Sequence, residues 1–534
     1  MGAGQLAHRV GPRNDRPDAV VTCRVARGLC AALALGVAAC GDDAKPDVTR
    51  PPGDAALETA KVDPSVLAAL ATKDSLSVIV LGRNQLLERV GGLEQFEREH
   101  AAWTRQSLRA DVVSRLRAIA ESEQAEILAT IGPATRVRRL WIYDAVAGTL
   151  GREQITALSQ LSSVAYIYAN VGERVVFPTG NARVSFIAPN ATASGFEPGR
   201  VPVAWNIRWL GVDRVWAELR ELGAGAVIAS IDDGVNYAHA DVRSHVWKNS
   251  GEILNNGRDD DGNGYVDDAY GYDFALMSPE VRATSTAAQH GTWTAGLMVA
   301  DGTSGVAAGV APRARLMVLR AAGHVAIAEA LQYAVANGAD VVNMSFTYRG
   351  EGNRRALWRM MSDHAVAAGL VLAGGAGNNQ MTDAVPYQIG SPKDVPSMFV
   401  AGGIDTTLAV LPFSSLGPVE WGTVKFYGDY PLPGGLVKPD VVAFPGPGLT
   451  VLALADAGYL PASASVQGNS FSGPQAAGVA ALVMSAVPTL PGWRARDVIE
   501  RTARDIAPNG KDPRTGEGLV DAFAAVSAAR ALAR

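Results

Sequence analysis

The chain has 534 residues, too many for one ordinary domain and enough for two or three. Apolar residues make up 48% and charged residues 19%, so a sizeable core can be buried and global disorder is excluded. A net charge of -5 argues against a nucleic-acid binder held by phosphate contacts.

The three cysteines, Cys23, Cys30 and Cys40, all lie near the start. The rest of the chain therefore holds neither a disulfide framework nor a Cys-based metal site. Arg24 and Arg27 precede the apolar run 28–39, a charged region followed by a core of signal-peptide length, too short to span a membrane stably. The run closes as Val37-Ala38-Ala39-Cys40, which resembles a bacterial lipobox. That resemblance implies cleavage before Cys40 and a lipid on Cys40; ordinary cleavage without lipid is the alternative. Residues 1–40 are thus read as a lipoprotein-type signal peptide. Residues 41–56, rich in Asp, Pro and Gly, are read as a tether.

Residues 57–171 form the next segment. Ser77–Leu81 is a short β-like run. The periodicity of Leu108, Val112, Leu116, Ile119 and Ile127 predicts a helix over 94–130. Residues 138–143 and 145–148 resemble a strand pair, 152–161 a helix, and Val164–Tyr168 a final strand. The order β-α-β-β-α-β is a ferredoxin-like α+β pattern. Residues 172–204 are punctuated by Pro178, Gly180, Pro189, Gly195, Pro198, Gly199 and Pro202 and read as a linker. Over 205–534, continuous apolar strands (226–231, 316–319, 341–344, 370–373) alternate with helical stretches such as 324–337 and 354–368. That alternation predicts an α/β fold, a parallel sheet with helices on both faces.

Three motifs occur in one order. Ile231-Asp232-Asp233-Gly234 closes a buried strand, where open α/β sheets bind ligands, although Asp-Gly also suits a plain turn. His290-Gly291-Thr292-Trp293-Thr294-Ala295-Gly296 reads as the opening of a tightly packed helix; alone, its histidine is more simply a core residue. Gly468-Asn469-Ser470-Phe471-Ser472-Gly473-Pro474-Gln475 places Ser470 at a helix N-terminus, where unpaired N–H groups favour an oxyanion, although a Ser cap would read the same way. Together they supply a serine nucleophile, a histidine base and an aspartate to orient it.

The order Asp…His…Ser is that of subtilisin, and the segment 205–534 resembles a subtilisin-like serine peptidase (subtilase). The supporting segments are Asp232-Asp233-Gly234, His239-Ala240-Asp241-Val242, His290 to Gly296, Gly309-Val310-Ala311-Pro312, Phe413 to Gly417, Lys438-Pro439-Asp440-Val441 and Gly468 to Gln475. The resemblance implies catalytic Asp232, His290 and Ser470. It also implies an oxyanion donor at Asn378, in Ala376-Gly377-Asn378-Asn379. Several positions depart from the family pattern: Asp233 for Ser/Thr, Trp293 for His, Asn469 for Thr, Phe471 for Met, Gly473 for Ser/Thr and Gln475 for His. Asp233 is expected to point away from Asp232.

Between the Asp and His motifs lies Asp259-Asp260-Asp261-Gly262-Asn263-Gly264-Tyr265-Val266-Asp267-Asp268. Asp259, Asp261, Asn263 and Asp267 sit at EF-hand-like spacings, but Tyr270 stands where the bidentate Glu belongs, so a full EF-hand is excluded. Family resemblance and crowded carboxylates point to structural Ca2+; a solvated acidic turn is the alternative. No cofactor is implied for catalysis.

The expectation is thus an exported serine endopeptidase, secreted or held at the cell envelope by a lipid anchor, acting on proteins or peptides. By resemblance, residues 57–171 are a propeptide: a ferredoxin-like inhibitor and chaperone, removed by a self-cut between Gly172 and Arg200, near Val176 or Phe177. Two rival readings are a catalytically silent binding lipoprotein on the same fold and an α/β-hydrolase esterase. Chain order and the lack of Gly-x-Ser-x-Gly at Ser470 argue against the esterase.

Overall fold

The computed structural model describes residues 57–171, 197–461 and 467–533. Cys40, the signal and tether segments 1–40 and 41–56, and the expected cut near Val176 or Phe177 lie outside them. No helix among the described residues is long and apolar enough to cross a membrane.

The first part runs α1 (Pro64–Leu70), β1 (Ser75–Gly82), α2 (Leu93–Glu99), α3 (Arg105–Ile131), β2 (Val137–Leu140), β3 (Ala145–Gly151), α4 (Arg152–Gln160) and β4 (Val164–Ala169). Its strands form an antiparallel sheet in the order β2-β3-β1-β4, the βαββαβ arrangement read from the sequence. The single helix expected over 94–130 is two helices. Thr104 starts the second by accepting from Ser107 N, and the anticipated stripe of Leu108, Val112, Leu116 and Ile127 is buried along it. Successive strand residues point to opposite faces, and both faces are covered. Val78, Val80, Val146 and Ile167 pack with Ile127, Ile131, Ile155 and Leu158 of the helices α3 and α4. Ile79, Leu81, Ala145, Tyr166 and Tyr168 join a separate core that extends into the second part.

That second part contains α5 (Trp205–Trp209), α6 (Val212–Glu218), β5 (Val227–Asp232), β6 (Gly271–Asp273), α7 (His290–Val299), β7 (Arg315–Arg320), α8 (His324–Ala336), β8 (Val341–Met344), α9 (Arg355–Ala367), β9 (Val371–Gly375), β10 (Phe399–Gly403), β11 (Val441–Ala443), β12 (Thr450–Leu452), β13 (Tyr459–Pro461), α10 (Ser472–Ala486), α11 (Gly492–Thr502) and α12 (Ala522–Leu532). Seven strands pair in parallel in the order β11-β10-β9-β8-β5-β7-β6, and β12-β13 is a separate hairpin.

Alternation along these strands sorts the two helical layers. Ile228, Leu316, Val318, Val341 and Val371 face a core shared with α6, α7, α10, α11 and α12. Ala229, Ile231, Met317, Leu319, Val342 and Leu372 face α8 and α9. Burial on both faces is why these strands read as unbroken apolar runs. The chain leaves β5 towards β7 on one side and returns to β8 on the other, so the C-terminal end of β5 is a switch point, where such sheets open a crevice.

Candidate active site

Asp232 is the last residue of β5 and is buried at that switch point. Its two oxygens accept hydrogen bonds from the groups around them. Oδ1 accepts from Asp233 N at 2.8 Å, and Oδ2 from Thr294 Oγ1 at 3.4 Å. The His290 ring nitrogen Nδ1 lies 2.9 and 3.1 Å from the two oxygens and is therefore the protonated one. Nε2 is left as the basic nitrogen. Burial alone would push the His290 pKa down. The Asp232 carboxylate, by charge and hydrogen bond, outweighs burial with help from Asp233, and holds the imidazole above its ordinary value.

Asp233 does not point away. It is buried, and its carboxylate accepts from His290 N at 3.2 Å and Gly291 N at 2.7 Å. The reason is local. α7 begins at His290 without a side-chain cap of its own, and its first N–H groups need an acceptor. The approach is close enough that a Cβ on Gly291 would stand 2.2 Å from Gly234 O. Burial first, then the charge of Asp232, pushes Asp233 up to about 7.

Ser470 lies just before α10, whose first residue is Ser472. Its Oγ donates to Ser345 O at 3.2 Å, and Ser345 Oγ donates to Ser470 O at the same distance. Ser345 follows β8 directly and was not singled out from sequence, although its place after a buried strand was a usable signal. Asn378 follows β9. Its Oδ1 accepts from Asn469 N at 2.8 Å, which turns the amide nitrogen Nδ2 away from that backbone. A Cβ on Gly468 would come within 2.8 Å of that nitrogen.

The departures from the family pattern are packed into the same frame. Asn469 donates to Gly377 O at 2.7 Å and Ser414 Oγ at 2.9 Å, tying Ser470 to the β9 and β10 ends. Gln475 donates to Phe444 O and Phe471 O at 2.6 and 2.7 Å. Trp293 and Phe471 meet edge to face at 6.3 Å, joining α7 to the turn that carries Ser470. Gly473 packs where a Cβ would be 2.5 Å from Gly375 N, so a larger residue there would push the helix off β9.

The acidic loop between β5 and β6 is arranged differently from its spacing. Glu252, Asp259 and Asp261 each present an oxygen within 4.8 Å of one another. Glu252 was not singled out because it lies outside the Asp-rich run. Its Oε2 is buried without a hydrogen-bond partner, which suits a hard cation. Asp267 is used elsewhere, accepting from Asn256 N and Gly257 N at 2.9 Å, and Asn263 Oδ1 accepts from Tyr265 N at 2.8 Å.

Comparison with known proteins matches residues 223–518 to the model of the subtilase family, more than half of the chain. The chain belongs to the subtilase family. Among its relatives, subtilisin DY of Bacillus licheniformis is 29% identical over 335 residues, 60% of this chain and 98% of the relative. Bacillopeptidase F of Bacillus subtilis is 27% identical over 462 residues, 80% of this chain but 29% of the relative. Fervidolysin of Fervidobacterium pennivorans is 25% identical over 366 residues, 63% of this chain and 45% of the relative. The chain thus spans nearly all of one relative and less than half of the other two. As a subtilase it is a serine peptidase, a hydrolase that needs no cofactor for catalysis.

Proposed function

We propose that the chain is an exported endopeptidase in which Ser470 attacks the scissile carbonyl. His290 Nε2 takes the Ser470 proton and passes it to the leaving amine, releasing the first product and leaving an acyl-enzyme on Ser470. Asp232 holds the Nδ1–H tautomer and stabilises the imidazolium. Water then enters, gives its proton to His290 and frees the second product. Asn378 Nδ2 and the Ser470 N–H hold the oxyanion. The observation that carries this assignment is the Asp232–His290 pair, 2.9 Å apart at the β5 switch point. Before attack the Ser470 hydroxyl turns from Ser345 O towards His290, as catalytic hydrogen bonds commonly tighten only with substrate bound. Ser470→Ala should lower casein hydrolysis by several orders of magnitude with the fold intact, because triad members act as a unit. Hydrolysis at the parent rate would remove Ser470 from the mechanism.

The finer parts of the same reading concern the precursor. Residues 1–40 direct export, with lipid on Cys40 as anchor. Residues 57–171 act as inhibitor and chaperone, and Ser470 makes the maturation cut between Gly172 and Arg200. Supporting the inhibitor role is the apolar core in which Leu81, Tyr143 and Tyr168 meet Val325, Trp358 and Met361 of α8 and α9. Salt bridges from Arg105 and Arg109 to Asp340 add to the contact. Structural Ca2+ is assigned to Glu252, Asp259 and Asp261, whose charges it would neutralise.

A further inference from the structure

Two lysines among the described residues are almost completely buried, and they are treated differently. Lys438 is paired: its Nζ lies 2.7 Å from Asp440 Oδ2 and also donates to Met398 O. Lys393 is 1% exposed and has no carboxylate within 4 Å among the described residues. Its Nζ donates to a neutral hydroxyl, Thr347 Oγ1, at 2.8 Å, and lies 5.3 Å from the centre of the Phe346 ring. The adjacent Asp394 binds Arg355 Nε at 2.6 Å and Ser391 Oγ at 3.1 Å through Oδ2 and makes no direct bond to Lys393. A buried ammonium without a directly paired carboxylate is costly, and the acidic groups near Lys393, Asp394 and Asp232, act on it only through space.

Its position explains what could pair with it directly. The segment after β8, Ser345 to Tyr348, and the end of β9 flank Ser470 on two sides: Ser345 bonds Ser470, and a Cβ on Gly375 would overlap Asn469 O at 1.7 Å. The chain at 390–393 closes the space beneath them. Tyr348 N donates to Ser391 O at 2.8 Å, and Lys393 N to Gly390 O at 3.0 Å. Lys393 rises from this floor with its stem packed against Gly374, where a Cβ would stand 3.2 Å from Cε. The ammonium ends at the hydroxyl of Thr347, which is half-buried whereas Lys393 itself is buried. Gly374 in turn abuts the start of α10, where a Cβ on Gly473 would lie 2.6 Å from Gly374 C, so the Lys393 stem packs one backbone layer from the turn that carries Ser470.

We propose that Lys393 is the base of the primary specificity pocket and selects an acidic side chain, Glu or Asp, at the residue whose carbonyl Ser470 attacks. The inference rests on the serine-peptidase function proposed above and names its substrate class. The substrate carboxylate supplies the missing direct partner through a charge-assisted hydrogen bond, whereas a neutral amide of the same shape does not. Burial pushes Lys393 down to about 7, with Asp394 and Asp232 pulling it back, so an arriving carboxylate would also restore its proton. The self-cut then moves from Val176 or Phe177 to the Glu173–Arg174 bond, because the acidic residues between Gly172 and Arg200 are Glu173 and Glu197, and Glu197 is followed by Pro198, whose ring nitrogen makes a poor leaving group.

The test is kcat/KM of the matured enzyme on peptide p-nitroanilides that differ only in the last residue: Glu, Gln, Phe or Lys. Glu should exceed Gln by on the order of 10–100-fold, the worth of one hydrogen bond to a charged group. Lys393→Met should collapse the Glu/Gln ratio towards one, and Lys393→Arg should keep it above one. The parent ratio is read without any variant, so poor folding of Lys393→Met leaves the test intact. A parent that cleaves Phe well with a Glu/Gln ratio at or below one overturns the pocket assignment while leaving the peptidase standing. A parent that cleaves none of the four, and whose Ser470 fails to react with a fluorophosphonate, overturns the peptidase function itself and the pocket with it. A mature N-terminus at Arg174 agrees with the acidic pocket; one just after Val176 or Phe177 contradicts it.

Discussion

Asp233 shows how one side chain can serve structure and chemistry together. Its carboxylate satisfies the first N–H groups of α7 and stands behind His290, adding to the field that holds the imidazole proton. The charged and titratable groups around it are Asp232 on its own strand, His290 on α7 and, through His290, Lys393. Asp233→Asn removes a negative charge that raises the His290 pKa. The acid limb of kcat/KM should therefore move to lower pH, while Asp232 still fixes the tautomer. An acid limb unmoved by the substitution would mean that Asp233 only caps the helix. The stability sign runs the other way. A carboxylate raised to about 7 in the folded state contributes fully below its ordinary value near 4 and loses that contribution as pH rises through 7.

The loop between β5 and β6 is the element whose chemistry is most testable. Glu252, Asp259 and Asp261 repel one another unless a cation lies among them. Binding to the folded state alone adds RT ln(1 + [L]/Kd), about 2.7 kcal/mol at 100 times Kd. Millimolar Ca2+ should raise the melting temperature, EDTA should lower it, and Glu252→Gln should blunt both responses. A melting temperature indifferent to Ca2+ and EDTA would leave a solvated acidic turn. This loop also marks where sequence reading stops. Spacing identified an oxygen-rich loop, but an irregular backbone decides which oxygens converge: Asp267 was used up on Asn256 N and Gly257 N, and Glu252 came from outside the run. Regular elements were legible because burial imposes a period. The apolar runs of β5, β7, β8 and β9, and the strands of the first part, fall within a few residues of expectation. The break at 100–104 was missed because the apolar stripe alone does not record where Thr104 begins a new helix.

At the scale of the whole molecule, the contact between the two parts carries its own pH response. His364 of α9 donates from Nδ1 to Ile142 O at 2.6 Å, and its Nε2 accepts from Leu87 N at 3.4 Å; both partners belong to the first part. A second proton would set N–H against N–H. Burial pushes His364 down to about 4, and likewise His324, which packs between the rings of Tyr143 and Trp358. A lowered histidine stabilises this contact fully above its ordinary value near 6.5. That contribution is lost as pH falls from there towards 4, by up to about 1.4 kcal/mol per pH unit and group. Glu329, paired with Arg138, and Glu97 are both pushed up to about 7 by burial, and Asp363 to about 6; these act in the opposite sense. The informative quantity is therefore a difference. Unprocessed Ser470→Ala protein should lose denaturant stability between pH 6.5 and 4.5 more steeply than the same protein carrying His364→Gln. Equal slopes would show that the contact does not sense this titration. The three motifs, read together, pointed to Asp232, His290 and Ser470 because a triad needs those residue types and their chain order is the one subtilases use. Lys393 escaped the same reading: a lone lysine between Pro392 and Asp394 looks like surface until the fold buries it beneath Thr347. The central claim, a serine nucleophile at Ser470 activated by His290, is tested most directly by intact-mass and peptide-mass analysis after reaction with a fluorophosphonate. The expected result is one adduct per chain, on the peptide containing Ser470 and absent from Ser470→Ala. An adduct on another serine, or casein hydrolysis that continues with Ser470 unlabelled, would contradict it.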